Sequence, residues 1–249
     1  MANWQDPRTT TGVNPAAATV GVPRAARDAG LRSYMLSVYN YMASGVLLTG
    51  IVALLFAPYA GQVLIGANGQ GMSPIGWIVM LSPLAIVFAM SFGMNRMATG
   101  TLQILFWAFA ALMGLSMSTL VLAFTGVSIA QTFFATAAAY LALSVYGYTT
   151  KRDLSGMGTF LIMGVVGILV AMLVNMFLQS SAMALAISAI GVLLFAGLTA
   201  YDTQRIKSMY FQVAGSDMMG KVVIMGALSL YLDFINMFQF LLYFMGDRR

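Results

Sequence analysis

Hydrophobic residues run along the chain in seven long blocks, and polar residues collect almost entirely between them. Each block is long enough to supply the ~20 residues that a tilted helix needs to cross about 30 Å of hydrocarbon. The pattern predicts spans at Tyr34–Phe56, Ile75–Met94, Leu102–Phe124, Ser128–Tyr148, Met157–Leu178, Met183–Tyr201 and Val222–Met245. Breakers separate them: Pro58, the stretch from Gly66 to Pro74, Asn95-Arg96, Thr125-Gly126, Lys151-Arg152-Asp153, Gln179-Ser180-Ser181, and a loop from Asp202 to Lys221. The blocks are too long for barrel strands, and a bilayer admits only helices or closed barrels. The expected fold class is therefore an all-α polytopic membrane protein of seven transmembrane helices. Residues 1–30 are polar, rich in Ala, Thr, Pro and Arg, and lack an apolar run. They read as a disordered tail rather than a cleaved signal peptide, leaving 31–249 as the membrane domain.

Composition sharpens this picture by what it removes. Charged residues make up 8% of the chain and hydrophobic ones 60%, against about 25% charged in a soluble domain. The chain has no cysteine, which rules out disulfides and thiolate chemistry, and no histidine, which removes the usual pH switch and the commonest metal ligand. Glutamate is absent too, so any proton or cation chemistry must run through Asp6, Asp28, Asp153, Asp202, Asp217, Asp233 and Asp247.

The net charge of +5 does not point to nucleic acid, because the basic residues sit in short clusters beside the spans. They fall in the tail (Arg8, Arg24, Arg27, Arg32), the second loop (Arg96), the fourth (Lys151, Arg152) and the sixth (Arg205, Lys207, Lys221). This alternation places the N-terminus in the cytoplasm. Seven spans then put Arg248 and Arg249 outside, against the bias, so the last segment is either a full span or re-entrant. The 21 methionines fill the bundle as adaptable apolar side chains. Small residues at helical spacing, Gly45/Thr49 and Gly114/Ser118, allow close helix approach.

Two acids stand out. Asp233 lies in the middle of the last span and Asp202 at the end of the sixth. A lone carboxylate at the centre of a membrane helix costs about 2.5–3.5 kcal/mol on insertion scales, which makes it a functional candidate. Ser229, Asp233 and Asn236 form one polar stripe, expected to face the bundle interior because lipid offers no hydrogen-bond partner. The plainer alternatives are a neutral Asp233 that ties two helices together and an Asp202 that forms a solvated ion pair with Arg205. Counted from the apparent membrane entries, Asp202 lies at the rim and Asp233 about 16 Å deep. Contact between them requires the last helix to begin early, near Asp217. Six helices would form two three-helix halves, the second necessarily inverted relative to the first.

The run from Leu143 to Gly158 (LSVYGYTTKRDLSGMG), with Tyr201-Asp202-Thr203-Gln204 and the run from Leu230 to Phe238 (LYLDFINMF), closely resembles the Bax inhibitor-1 family, also called the transmembrane Bax inhibitor motif family. The resemblance covers Leu31 to the C-terminus and suggests a bacterial member. It implies six helices around a central seventh and a pH-sensitive calcium leak channel in the cytoplasmic membrane. It carries the family's two-aspartate sensor onto Asp202 and Asp233, and a basic latch onto Arg96. Two carboxylates close together in a low dielectric cannot easily ionise together and can share a proton. Calcium would accept the same oxygens weakly, with Ser229 and Asn236 as candidates along the ion path. No resident cofactor and no enzymatic activity are expected. The partners expected are the lipid bilayer, Ca²⁺ and protons, with no nucleic acid.

Other classes stay in view. A presenilin-type protease also pairs Tyr-Asp with a second Asp, but Leu230 and Leu232 stand where that family has glycines, and no Pro-Ala-Leu segment occurs. The last block carries no interior lysine for a retinal Schiff base, and rhomboid-type catalysis lacks its histidine. A quality-control or assembly factor that binds membrane proteases or other membrane proteins, with the tail as its docking segment, is the second serious reading.

Overall fold

A computed structural model describes residues 24–66 and 71–249, and among them the seven expected helices form. They are α1 Arg24–Leu64, α2 Pro74–Gly93, α3 Thr99–Ala123, α4 Gly126–Thr149, α5 Ser155–Leu178, α6 Ser181–Val213 and α7 Met218–Met245. Local chemistry sets several of the starts. Ser73 caps α2 by accepting the Gly76 N–H at 2.9 Å, with Pro74 in the first helical position where its missing N–H is harmless. Thr125 and Ser180 cap α4 and α6 in the same way. Gln179, at φ 50°, closes α5 with a left-handed residue that sends the chain straight into α6.

Three boundaries differ from expectation, each for a physical reason. Pro58 does not end α1, which runs on to Leu64. A membrane helix that loses one backbone bond still gains by continuing, since hydrocarbon offers its other groups no partner. The first helix also begins at Arg24, so residues 24–30 are helical rather than part of a tail; the remainder of that expected tail, 1–23, lies outside the described residues. Finally, the loop expected from Asp202 to Lys221 shrinks to residues 214–217, because α6 continues to Val213 and α7 starts at Met218. Helices of 41, 33 and 28 residues (α1, α6, α7) are about 62, 50 and 42 Å long. They overrun the hydrocarbon, and α1 and α6 brace each other near the start of α1 and the end of α6, where Tyr34 and Tyr210 rings lie 5.4 Å apart.

The last helix is the axis of the bundle. It packs against α1, α3, α4 and α6, while α2 lies on α3 and α5 on α6, one layer out. Each three-helix half repeats one plan, its first helix on its third and its second against the third. Small residues do the expected work between α1 and α3: a Cβ on Gly114 would come within 2.7 Å of the Thr49 carbonyl oxygen.

The C-terminus closes the end opposite the α4–α5 loop. Arg249 N–H donates to the Ala123 carbonyl at 3.0 Å, Thr125 N–H to the Asp247 carbonyl at 3.1 Å, and Asp247 N–H to Ser128 Oγ at 2.9 Å. Since α4 separates that end from the α4–α5 loop, α7 is a full span and the re-entrant reading falls.

Candidate functional site

The α6–α7 hairpin brings the two acids onto one seam. Ile206 packs against Gly226, and Phe240 against Gly191, which fixes the antiparallel register. In that register Asp202 stands level with Ser229 and Leu230, and Asp233 about one turn, ~5 Å, deeper. The early start of α7 therefore supplies what contact required, and Asp202 lies within a continuous helix rather than at its end. Asp233 is 4% exposed, and Asp202 is half-buried within Coulombic range of it. No hydrogen bond joins the two carboxylates among the described residues, so their coupling acts through space.

Other polar groups converge on the same level. Tyr140 of α4 lies within Coulombic range of both aspartates and of Tyr39 of α1, and Tyr39 Oη lies 3.5 Å from Thr203 Oγ1 of α6. The Oδ2 atom of Asp233 and the hydroxyls of Tyr140 and Ser144 are all buried and none makes a hydrogen bond of good geometry, although the two hydroxyls lie within reach of each other. Each such group costs about 1–3 kcal/mol, and native structures keep them chiefly where a proton, water or ion is handled. A fourth, the Tyr34 hydroxyl, lies apart, near the start of α1. Four helices thus contribute to one polar cluster.

The remaining candidates divide. Asn236 donates Nδ2–H to its own Leu232 carbonyl at 2.8 Å and lines a cavity of about 980 Å³ between α5, α6 and α7. Gln239, Ser188 and Asn175 line the same cavity, which reaches from the C-terminal end of α7 to within a turn of Asp233. Ser229 is half-buried at the level of Asp202. Arg96 is exposed in the turn between α2 and α3, and no ion pair joins it to either acid among the described residues. The cation beside Asp202 is Arg205, one turn along α6.

Tyr140 and Ser144 are what sequence reasoning missed. They sit four residues apart, and with Ser128, Thr132 and Thr136 they extend a buried polar stripe along α4. That period was the available signal, diluted by the many alanines around it. Gln204 closes the Tyr201-Asp202-Thr203-Gln204 motif. The structure shows its use: it accepts the Leu154 N–H and donates to the Arg152 carbonyl, both at 2.8 Å, and so pins the α4–α5 loop beside the cluster. Lys207 caps α4 by donating to the Tyr148 carbonyl at 2.7 Å, its charge matched to the helix C-terminus.

The profile of a family described as "Inhibitor of apoptosis-promoting Bax1" matches residues 31–249. An uncharacterized protein of Rickettsia prowazekii is 49% identical over 223 residues, covering 89% of this chain and 92% of its own. The inner membrane protein YbhL of Escherichia coli is 45% identical over 224 residues, 89% of this chain and 94% of its own. A further uncharacterized protein, from Caulobacter vibrioides, is 44% identical over 234 residues.

Proposed function

The chain belongs to the Bax inhibitor-1 family, and on that premise we propose that it is a pH-sensitive calcium leak channel whose gate is the Asp202–Asp233 pair. The observation that carries this reading is Asp233 itself, buried on the central helix with one carboxylate oxygen unpartnered and a second acid a turn away. Two negative charges in a water-poor site repel strongly, so the pair holds a proton until the solution draws it off. The second charge then biases α6 against α7, and α7 transmits this because it touches α1, α3, α4 and α6.

Calcium is the cargo, with no resident cofactor and no catalytic role for the pair. From the end carrying the C-terminus it would enter the cavity lined by Asn236 and Gln239, then meet the carboxylates near Ser229. Two carboxylates supply at most about four of the roughly 6–8 oxygens of a tight calcium site, and weak binding is what conduction needs. With the charged loops inside, the N-terminus faces the cytoplasm and the protein sits, like its Escherichia coli relative, in the inner membrane. The test is calcium flux into liposomes containing the purified protein, with pH stepped between about 6 and 8 across the neutral range where a shared proton would be exchanged. Asp202→Asn and Asp233→Asn should each remove most of the pH dependence, and the double variant should add little, because coupled groups are not additive. A wild-type pH profile in either variant would refute the gate. Absence of any flux from the unmodified protein would leave the assembly-factor reading in its place.

A further inference from the structure

The motif loop from Thr149 to Ser155 has no part in the leak mechanism, yet the structure builds it into a defined recess. We propose that this loop and the neighbouring turn of α6 bind a phosphate-bearing anion, with Lys151, Arg152 and Arg205 as its counter-charges. These three cations line one cavity of about 340 Å³, together with Tyr201 and Ser208. The only acid lining that cavity is Asp153, so the recess carries three positive charges against one negative, a net of +2.

Asp153 is also committed elsewhere. Its Oδ1 accepts the Ser155 N–H at 2.9 Å, which caps the start of α5. Hydrogen bonds from the Ser155 hydroxyl and backbone hold its carboxyl below the usual carboxylate range, so it stays ionised and directed at the helix start. Lys151 and Arg152 form no ion pair among the described residues, and Arg205 has only Asp202, one turn back on α6, within range of its charge. The recess is rigid rather than a loose cluster, because Gln204 bonds the loop at Leu154 and Arg152 from below.

Position decides the chemistry of the ligand. The recess lies where α4 ends and α5 begins, two helices long and apolar enough to cross a membrane, and the seven-span reading puts that junction at the edge of the hydrocarbon. The first turns of α5 expose Met157 and Phe160 outward, where an acyl chain would run. The Tyr201 hydroxyl at the recess supplies a donor that a topological charge would not need, while the Ser208 hydroxyl donates to the Arg205 carbonyl at 2.7 Å. A phosphodiester headgroup of an anionic lipid and a free phosphate share the oxygens that guanidinium groups hold in bidentate fashion. Binding does not depend on the leak reading, and its test needs no flux.

The experiment titrates full-length protein, purified in an uncharged maltoside detergent, with dihexanoyl-phosphatidylglycerol or with inorganic phosphate. Dihexanoyl-phosphatidylcholine serves as the lipid of no net charge, and the thermal unfolding midpoint is the readout. A saturable rise is expected with phosphatidylglycerol and little with phosphatidylcholine. The apparent Kd should weaken about fivefold for each of Lys151→Gln, Arg152→Gln and Arg205→Gln, from roughly 1 kcal/mol per surface cation. Arg205→Lys should recover most of the loss. A rise with phosphate but not with the lipid would keep the site and make its ligand a soluble anion. A response that does not saturate, or that Arg32→Gln on α1 reduces as much as Arg205→Gln, would overturn the proposal in favour of general attraction to a basic surface.

Discussion

The two faces of α7 are built on opposite principles. Toward α1 and α3 it presents Tyr231, fully buried against the edges of Phe106 and Phe109 with ring centroids at 6.3 and 5.0 Å. Every polar group there is satisfied: Thr49 Oγ1 donates to the Ala110 carbonyl at 2.8 Å, which leaves its oxygen to accept the Tyr231 hydroxyl at 2.6 Å. Two residues along, on the far side of the helix, Asp233 faces α4 and α6 with Oδ2 unpaired, beside the buried hydroxyls of Tyr140 and Ser144. The first face is an anchor. The second stores polar groups that packing alone would have removed, and such groups persist where chemistry uses them.

Substitutions at the two faces should therefore separate stability from gating. Tyr231→Ala should destabilise by about 3–5 kcal/mol, as for a fully buried aromatic, read by thermal unfolding in detergent, while any surviving channel keeps its pH response. Tyr231→Phe isolates the hydroxyl and should cost about 1 kcal/mol. Asp233→Leu should behave the other way: it deletes an unsatisfied buried polar atom, so stability should hold or rise by up to about 1–3 kcal/mol while the pH dependence of flux disappears. A large loss of stability in Asp233→Leu would turn Asp233 into a structural tie and erase the contrast.

Finer tests probe how far the polar face extends. Because the chain contains no cysteine, Gln239→Cys and Asn236→Cys can be labelled without background. Both should react with a charged, membrane-impermeant thiol reagent added from the side of the C-terminus, and Tyr231→Cys should not. The smallest effect is expected at Asp153→Asn. Its folded carboxyl is held low, so its contribution to stability is present at neutral pH and is lost only as pH falls through that low value. The variant should lose a little thermal stability near pH 7, none at strongly acid pH, and leave the pH profile of flux unchanged.

Much of this was legible from the chain alone. Seven apolar blocks imply seven helices because hydrocarbon leaves the backbone no other way to satisfy itself. The absence of histidine, glutamate and cysteine funnels titration onto a few aspartates. Of the stripe, Asp233 is buried while Ser229 and Asn236 are half-buried, in line with the cost of exposing a carboxylate to lipid. Interruptions were harder to read. Pro58 and Asp202 mark helix ends in water, yet here both lie inside helices, since neighbours and the membrane reward continuity more than local propensity penalises it.

Sequence by itself thus determined the class, the number of spans and the identity of the acids, which follow from hydrophobic length and from the cost of burying charge, while the axial place of the seventh helix came from the family resemblance. Tertiary structure alone decided which groups meet. The overrun of α6 and the early start of α7 set a register that no single-chain pattern encodes, and that register places Asp202 a turn from Asp233. The same packing brings Tyr140 from α4 into the cluster and leaves Arg96 without an ion pair to either acid. Such contacts join residues tens of positions apart, and their geometry is set by how whole helices pack rather than by anything local to either residue.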